Sequence, residues 1–107
     1  MSEEKVTIEF KYPWSMMPLQ SSGEWIDAVS KSLPKSDPLY GKQIFVSAKH
    51  DIKKLILVDN DSDSNYAILS YSVSKSKSEF KTEEILASRK ALAEKLKNDY
   101  EAIKQKD

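Results

Sequence analysis

Residues 43–73, QIFVSAKHDIKKLILVDNDSDSNYAILSYSV, decide the fold of this chain. They contain three runs rich in aliphatic, β-branched and aromatic residues, which are QIFVSA (43–48), LILVD (55–59) and YAILSYSV (66–73). Such runs, separated by Asp, Asn, Ser and Lys, are typical of β-strands. Because the connections are short, the sequence predicts antiparallel neighbours in a β-meander. The run LILV is apolar at every position, which predicts a central strand covered on both faces.

The chain before this meander predicts a further strand followed by an irregular connection. In residues 5–12, KVTIEFKY, apolar and polar residues alternate, as they do in a half-buried strand. Pro13 and Pro18 then bracket the residues WSMM, and this spacing predicts a connection rich in large side chains rather than a regular element.

A first helix is predicted after Pro18. Ser21 or Ser22 can cap its start, and Pro34 ends it. Its apolar stripe is formed by Trp25, Ile26, Val29 and Leu33.

The chain after the meander predicts a polar segment and a long helix. Residues 74–81, SKSKSEFK, are typical of a solvated loop or a charged sheet edge. Residues 83–104 contain neither Gly nor Pro and favour a helix, with a break near residue 87 where Ser88 can cap a second segment. The apolar stripe of this helix is formed by Ile85, Leu92, Leu96, Tyr100 and Ile103.

Taken together, residues 1–107 are expected to form a single α+β domain. We predict an about four-stranded, mostly antiparallel sheet in the order strand, helix, three-strand meander, helix, packed by two helices. The C-terminal helix covers one face. Trp14, Met16 and Met17, or a partner, are expected to cover the opposite face.

Composition excludes several classes of function. The 17 basic residues are balanced by 17 acidic residues, which argues against a nucleic-acid binder and against a polybasic membrane anchor. The absence of cysteine excludes disulfides, thiolate metal sites and thiol catalysis. The sequence has no long apolar run, and its first residues, MSEEKVTIEF, do not resemble a signal peptide. We therefore expect a soluble, cytoplasmic protein.

The segment DNDSDSNY (59–66) places Asp59, Asp61 and Asp63 on alternate residues between two predicted strands. A calcium-binding EF-hand loop would need Gly where Ser64 stands and Glu where Ser70 stands, so no metal site is expected. Two interpretations remain. The segment is either a polar hairpin turn, in which Asp, Asn and Ser bond their own backbone, or an anionic face presented to a basic partner.

Nothing in the sequence predicts a catalytic site. His50 is the only histidine, and no nucleophile or carboxylate is placed beside it by a recognisable motif. Gly23 and Gly41 form neither a phosphate-binding loop nor a dinucleotide fingerprint. We therefore predict no catalytic residue and no cofactor.

The middle of the chain resembles a family of small bacterial proteins. The similarity covers about residues 33–92 and is carried by Leu33–Pro34, DPLYG (37–41), the strand at residues 55–59 and YAILSY (66–71). By its size, cytosolic character and acidic loop, the chain also resembles immunity proteins, which neutralise toxins of competing bacteria, including those of contact-dependent inhibition. This resemblance implies a non-catalytic inhibitor of a basic toxin domain, such as a nuclease, and assigns no residue.

The hypothesis that follows is a binding protein whose carboxylates enter the basic cleft of a toxin. Asp59, Asp61 and Asp63 would supply charge, and Trp14 or Tyr66 would supply an apolar anchor. The expected partner is a protein, with no contact to nucleic acid or membrane, and the chain is expected to be a monomer or weak homodimer. Two alternatives stay open, a homodimerising adaptor that uses an open sheet face or edge, and a small enzyme that uses His50.

Overall fold

The structure, a computed structural model, describes residue 8, residues 10–74 and residues 77–105; for residues 73, 74, 77, 78 and 103–105 it describes the backbone alone. The elements in chain order are β1 (Trp14–Met16), α1 (Leu19–Ser32), β2 (Ile44–His50), β3 (Leu55–Asn60), β4 (Asn65–Ser74), β5 (Lys77–Leu86) and α2 (Arg89–Gln105). The strands form one sheet of five in the order β1-β2-β3-β4-β5, and each neighbouring pair is antiparallel. The predicted α+β class and the central meander are confirmed, and the sheet has five strands rather than about four.

The first strand differs from the prediction. Half of the predicted strand at residues 5–12 lies outside the described residues, and Ile8 and Phe10 belong to no regular element. The described edge strand is instead β1, in the segment predicted to be irregular, where Trp14 pairs with His50 of β2. An edge strand tolerates flanking prolines because its outer side needs no donors.

Helix α1 begins two residues before Ser21. Pro18 occupies its N-cap position, so the start has no side-chain cap. Ser22, one of the predicted caps, is buried, and its hydroxyl donates to the carbonyl of Val46 in β2 over 2.8 Å. The helix ends at Ser32, just before Leu33 and Pro34, as the proline predicted.

The fifth strand was not counted in the predicted sheet, although a charged sheet edge was one of the two interpretations of residues 74–81. Residues 77–86 pair with β4, so the prediction that residues 83–86 begin a helix is wrong. The strand ends close to the predicted break near residue 87. Phe80 is buried opposite Tyr71, and this burial outweighs the preference of the sequence EEIL for a helix. Helix α2 therefore begins at Arg89, where the Ser88 hydroxyl accepts the backbone N–H of Ala91 over 3.1 Å.

The two helices lie on opposite faces of the sheet and close separate cores. The α1-side core comprises Met17, Val29, Leu33, Leu39, Val46, Ile56, Val58, Ala67, Leu69 and Phe80. The α2-side core comprises Trp14, Ala48, Leu57, Ile68, Leu86, Leu92 and Leu96. In β3, Ile56, Leu57 and Val58 have no exposed surface, so the prediction of a central strand covered on both faces is confirmed.

Several residues do not pack where the sequence predicted. The second face of the sheet is covered mainly by α1 rather than by the WSMM segment, and Trp14 lies on the α2 side. Ile85 is 43% exposed on β5 instead of facing the core from a helix, and the side chain of Ile103 lies outside the described part of the chain. Within the described ranges, no helix combines the length and apolar character needed to cross a membrane.

Candidate protein-binding surface

The hairpin that joins β3 to β4 is fixed by its own side chains. Asn60 is buried, and its Oδ1 accepts the backbone N–H groups of Ser62 at 3.1 Å and Asp63 at 3.2 Å. Its Nδ2 donates to Asp63 Oδ2 over 3.1 Å. Ser64 completes the turn with a φ of 59°, in the left-handed region. The segment is therefore a turn built by Asx-type hydrogen bonds.

The same hairpin is also tied to the chain just before β2. The backbone N–H of Gln43 donates to Ser62 Oγ over 2.9 Å, and the Gln43 carbonyl accepts the N–H of Asp61 over 2.8 Å. Lys42 forms an ion pair with Asp63 at 3.2 Å. These bonds hold the turn against the neighbouring strand end, so its carboxylates have fixed positions.

The three carboxylates have different environments, which the alternating sequence does not show. Asp61 is exposed at the tip of the turn. Asp63 is also exposed, and part of its charge is offset by Lys42. Asp59 is half-buried at the end of β3, where its Oδ1 accepts the Ser47 hydroxyl over 2.8 Å. The predicted anionic loop is thus one outward carboxylate, one paired carboxylate and one recessed carboxylate.

The recessed carboxylate has a perturbed acidity. Burial raises the pKa of Asp59 above its ordinary value, because desolvation disfavours the charged form. The hydrogen bond from Ser47 acts in the opposite direction, the charge of Asp61 raises the pKa further, and the charge of Arg89 lowers it. Because burial comes first among these causes, Asp59 is a carboxylate that lacks full compensation for its lost water.

Two aromatic residues flank Asp59 across the sheet. In the strand register, Asp59 pairs with Phe45 of β2 on one side and with Tyr66 of β4 on the other. Phe45 is 36% exposed and Tyr66 is half-buried. We call Phe45, Asp59, Asp61, Asp63 and Tyr66 the hairpin surface, and it combines carboxylates with exposed aromatic area.

Trp14 does not belong to the hairpin surface. It is 1% exposed, and its indole Nε1–H donates to Asp99 Oδ2 of α2 over 2.9 Å. It lies beside the last residue of β2, whereas Phe45 is near the first. The apolar anchor that the sequence assigned to Trp14 or Tyr66 is therefore available at Tyr66, and burial removes Trp14 from the exposed surface.

Phe45 is the surface residue that the sequence reasoning missed. A signal for it existed, because Phe45 stands between Ile44 and Val46 and period two therefore turns it to the opposite face. The methionine pair behaves differently from the prediction of a joint cover, since Met16 is 71% exposed and Met17 is buried.

His50 is used structurally. Its Nδ1 accepts the backbone N–H groups of Ile52 at 3.1 Å and Lys53 at 2.9 Å. Its ring is buried and meets Trp14 edge-on, with centroids 5.0 Å apart. Burial lowers the pKa of His50, although the neighbouring charge of Asp99 raises it. With Nδ1 occupied by the turn that follows β2, this nitrogen is not free to act as a general base.

A cavity of about 250 Å³ opens beside Asp59 on the α2 side of the sheet. Its walls are formed by Ile8, Phe10, Ser47, Leu57, Asp59, Tyr66, Arg89 and Leu92. We call it the Asp59 recess. In the described part of the chain, no three His, Cys, Asp or Glu side chains are grouped so that they could hold a metal ion.

No protein-family model matches this chain, and no curated protein or solved structure is significantly similar to it. The hairpin surface and the recess beside it are therefore the features that bear on its function.

Proposed function

We propose that this protein is a non-catalytic binding protein that uses the hairpin surface to bind a basic protein. The partner we propose is a bacterial toxin domain, which the protein neutralises in the cytoplasm by covering the toxin's active site, as an immunity protein does. The observation that supports this proposal is the pair of exposed carboxylates, Asp61 and Asp63, on a turn fixed by Asn60 and Gln43.

A fixed anionic turn suits a basic cleft for two reasons. Toxins that cleave nucleic acid need basic clefts because their substrate is a polyanion, and carboxylates attract such clefts over long distances. A turn that is already ordered by its own hydrogen bonds loses little conformational entropy on binding. Inhibition then requires only that the protein cover the cleft, with no reaction of its own.

The aromatic residues beside the turn supply the apolar contact that charge alone lacks. Tight interfaces usually concentrate binding energy in a few aromatic or arginine residues surrounded by a polar rim. Phe45 and Tyr66 occupy such a position, because the strand register places them on either side of Asp59. The hairpin surface therefore joins an aromatic centre to a charged rim.

The second candidate is a homodimerising adaptor, and it is favoured by the outer edge of β5. This strand ends the sheet, and Ile85 on it is 43% exposed. However, β5 also carries Lys81, Glu83 and Glu84. The pairing of β5 with β4 shifts register between Thr82 and Glu84. Charges and bulges protect an edge from pairing. Light scattering of the purified protein decides, because a stable dimer supports the adaptor and a monomer supports the inhibitor.

The experiment on the proposed function begins with the partner. We expect a toxin gene beside the gene of this protein, and we expect its product to be recovered with this protein from the native cell. In the double variant Asp61→Asn/Asp63→Asn, the association rate with that partner should fall about tenfold at low salt, and its dependence on salt should flatten.

The matched control removes two charges elsewhere. Glu24 on α1 and Glu101 on α2 are exposed, so Glu24→Gln/Glu101→Gln gives the same net charge away from the hairpin surface. This control should associate at nearly the wild-type rate. Equal slowing in both double variants would show that net charge, and not the hairpin surface, governs association.

A further inference from the structure

The apolar wall of the Asp59 recess belongs to the α2-side core, whereas Ser47, Asp59 and Arg89 on the same recess do not. Of its lining residues, Ile8, Phe10, Leu57 and Leu92 are apolar, whereas the others, Ser47, Asp59, Tyr66 and Arg89, are polar or charged. An apolar wall with a few converging polar groups is typical of a ligand site. Its volume of about 250 Å³ lies below the range of about 300–1,000 Å³ for pockets that bind whole drug-sized molecules. A site of this size suits one side chain of a larger partner.

The free acceptor in the recess is one oxygen of Asp59. Its Oδ1 accepts the hydroxyl of Ser47. Its Oδ2 receives no hydrogen bond from any residue that the structure describes. Ser47 donates its only hydroxyl proton to Asp59, so the lone pairs of the Ser47 oxygen stay available as acceptors. Two acceptors therefore stand side by side at the polar end of the recess.

We propose that the Asp59 recess binds the guanidinium group of one arginine side chain that the basic partner inserts. Asp59 Oδ2 and Ser47 Oγ accept its N–H groups, and a charge-assisted bond of this kind is stronger than a neutral one. The inference rests on the proposed function for the source of the arginine, but the recess itself can be tested without the partner.

The surroundings of Asp59 fit this guest better than they fit a hydrated metal ion or an uncharged group. A guanidinium is planar and weakly hydrated, and it stacks on aromatic faces. Phe45 and Tyr66 stand on the two neighbouring strands, one on each side of Asp59. The methylene stem of an arginine would lie against the apolar wall formed by Phe10 and Leu57. The cation also offsets the desolvation that raises the pKa of Asp59.

Arg89 sits on the wall of the same recess and gives the proposal a second prediction. Its positive charge lowers the pKa of Asp59, and Arg89 lines the same recess that the guest would enter. A second cation in the recess is therefore opposed by Arg89. Removing this charge should strengthen the binding of a guanidinium, whereas it would weaken the binding of an anion.

The test uses Nα-acetyl-arginine amide as the probe and Nα-acetyl-citrulline amide as its uncharged isostere. In nitrogen–proton correlation spectra of the intact protein, the arginine probe should shift the signals of Ser47, Asp59 and Tyr66 in a saturable way. The citrulline probe should shift them little. Asp59→Asn should weaken arginine binding about tenfold or more, which corresponds to the loss of one charge-assisted hydrogen bond.

Two further variants keep the result interpretable. Glu24→Gln removes an exposed carboxylate on α1, outside the hairpin surface, and should change the affinity for the probe by less than about twofold, since Glu24 does not line the recess. Arg89→Gln should raise the affinity severalfold. The native dispersion of each variant's spectrum reports that it is folded.

Three results would overturn the inference. They are equal shifts with both probes, unchanged arginine binding in Asp59→Asn, and no shifts at the highest soluble probe concentration. Failure of the probe would leave the test of Asp61 and Asp63 with the toxin partner unaffected. The opposite result is also informative. If the probe binds as expected but Asp61→Asn/Asp63→Asn associates with the partner at the wild-type rate, the recess remains a binding site and the hairpin turn has no role in association.

Discussion

At the scale of single residues, Asp59 holds a charge that the fold partly desolvates. Burial is the main cause of its raised pKa, so the native state favours the protonated form more than the unfolded chain does. The stability that this preference contributes is complete below the ordinary pKa of 3.8 and is lost as the pH rises through the native pKa. At neutral pH the charged carboxylate therefore destabilises the folded state. Asp59 nevertheless occupies a position that we assign to binding.

Asp59→Asn should therefore stabilise the protein at neutral pH. The amide oxygen can still accept the Ser47 hydroxyl, and the neutral group avoids the cost of a desolvated charge. Urea unfolding at pH 4 and pH 7 should give a gain in unfolding free energy that is larger at pH 7. Asp61→Asn is the control, and as an exposed substitution it should change stability by less than about 0.5 kcal/mol at both pH values. A gain for Asp59→Asn that is equal at both pH values would contradict the assigned cause.

His50 should make the protein less stable in mild acid. Its native pKa lies below 6.5, so its contribution is complete above pH 6.5 and is lost as the pH falls through the native pKa. The physical reason is burial of the ring, which disfavours the charged imidazolium. The charged groups that act on the ring are Asp99, Lys53, Asp51 and Lys95, and the two carboxylates oppose the effect of burial without reversing it.

The matching variant for this prediction is His50→Asn. Its Oδ1 can replace Nδ1 as an Asx-type acceptor, while it carries no titrating group. The variant should be less stable than wild type at pH 7.5 because it loses the edge-on contact with Trp14. Between pH 7.5 and pH 5.5, its unfolding free energy should fall less than that of the wild type. Parallel pH profiles would show that another group is responsible for the acid sensitivity.

The different environments of the three aspartates show where sequence reasoning at this scale ends. Their alternation in DNDSDSNY placed them on a turn between two strands, which is where they lie. It did not indicate that Asp59 is recessed, because its partner Ser47 lies 12 residues away at a register shift between Val46 and Ala48. Such an irregularity turns one side chain out of the period-two pattern, and period two was the only signal available.

At the scale of whole elements, the meander was predictable and β5 was not. The three predicted runs carry β-branched and aromatic residues between short polar turns, and this local pattern is enough to identify them as strands. Residues 77–86 instead combine Lys, Ser and Glu with the sequence EEIL, which favours a helix locally. Pairing with β4 and the burial of Phe80 decide this segment, and both are long-range effects that residue preferences do not contain.

The start of α2 provides a prediction at this scale. Ser88 caps the helix by accepting the N–H of Ala91, so Ser88→Ala should lower the unfolding free energy by about 1 kcal/mol. Ser88→Asp should retain most of the stability, because a carboxylate is an equally good cap. Ser30→Ala, at an exposed position of α1, is the control and should be neutral or slightly stabilising. If Ser88→Ala behaves like Ser30→Ala in chemical denaturation, the cap contributes little.

At the scale of the whole molecule, a hydrogen bond joins β1 to α2 across the α2-side core. Trp14 Nε1 donates to Asp99 Oδ2, and these residues are 85 positions apart in the chain. Asp99 also pairs with Lys95 at 3.4 Å, one turn earlier on the same helix. The contact therefore connects the sheet edge to the middle of α2, at the end of β2 opposite to Phe45.

Trp14→Phe should separate a structural role of Trp14 from a role in binding. The variant loses the indole N–H and part of a buried side chain, so the unfolding free energy should fall by about 1–3 kcal/mol. Trp14 pairs with His50, which lies five positions after Phe45 on β2, a distance of about 16 Å in an extended strand. Binding of the arginine probe and association with the partner should therefore stay within about twofold of wild type, measured well below the denaturation midpoint. A variant that keeps its stability and loses binding would instead place Trp14 in the interface, and would require β1 to open before the partner docks.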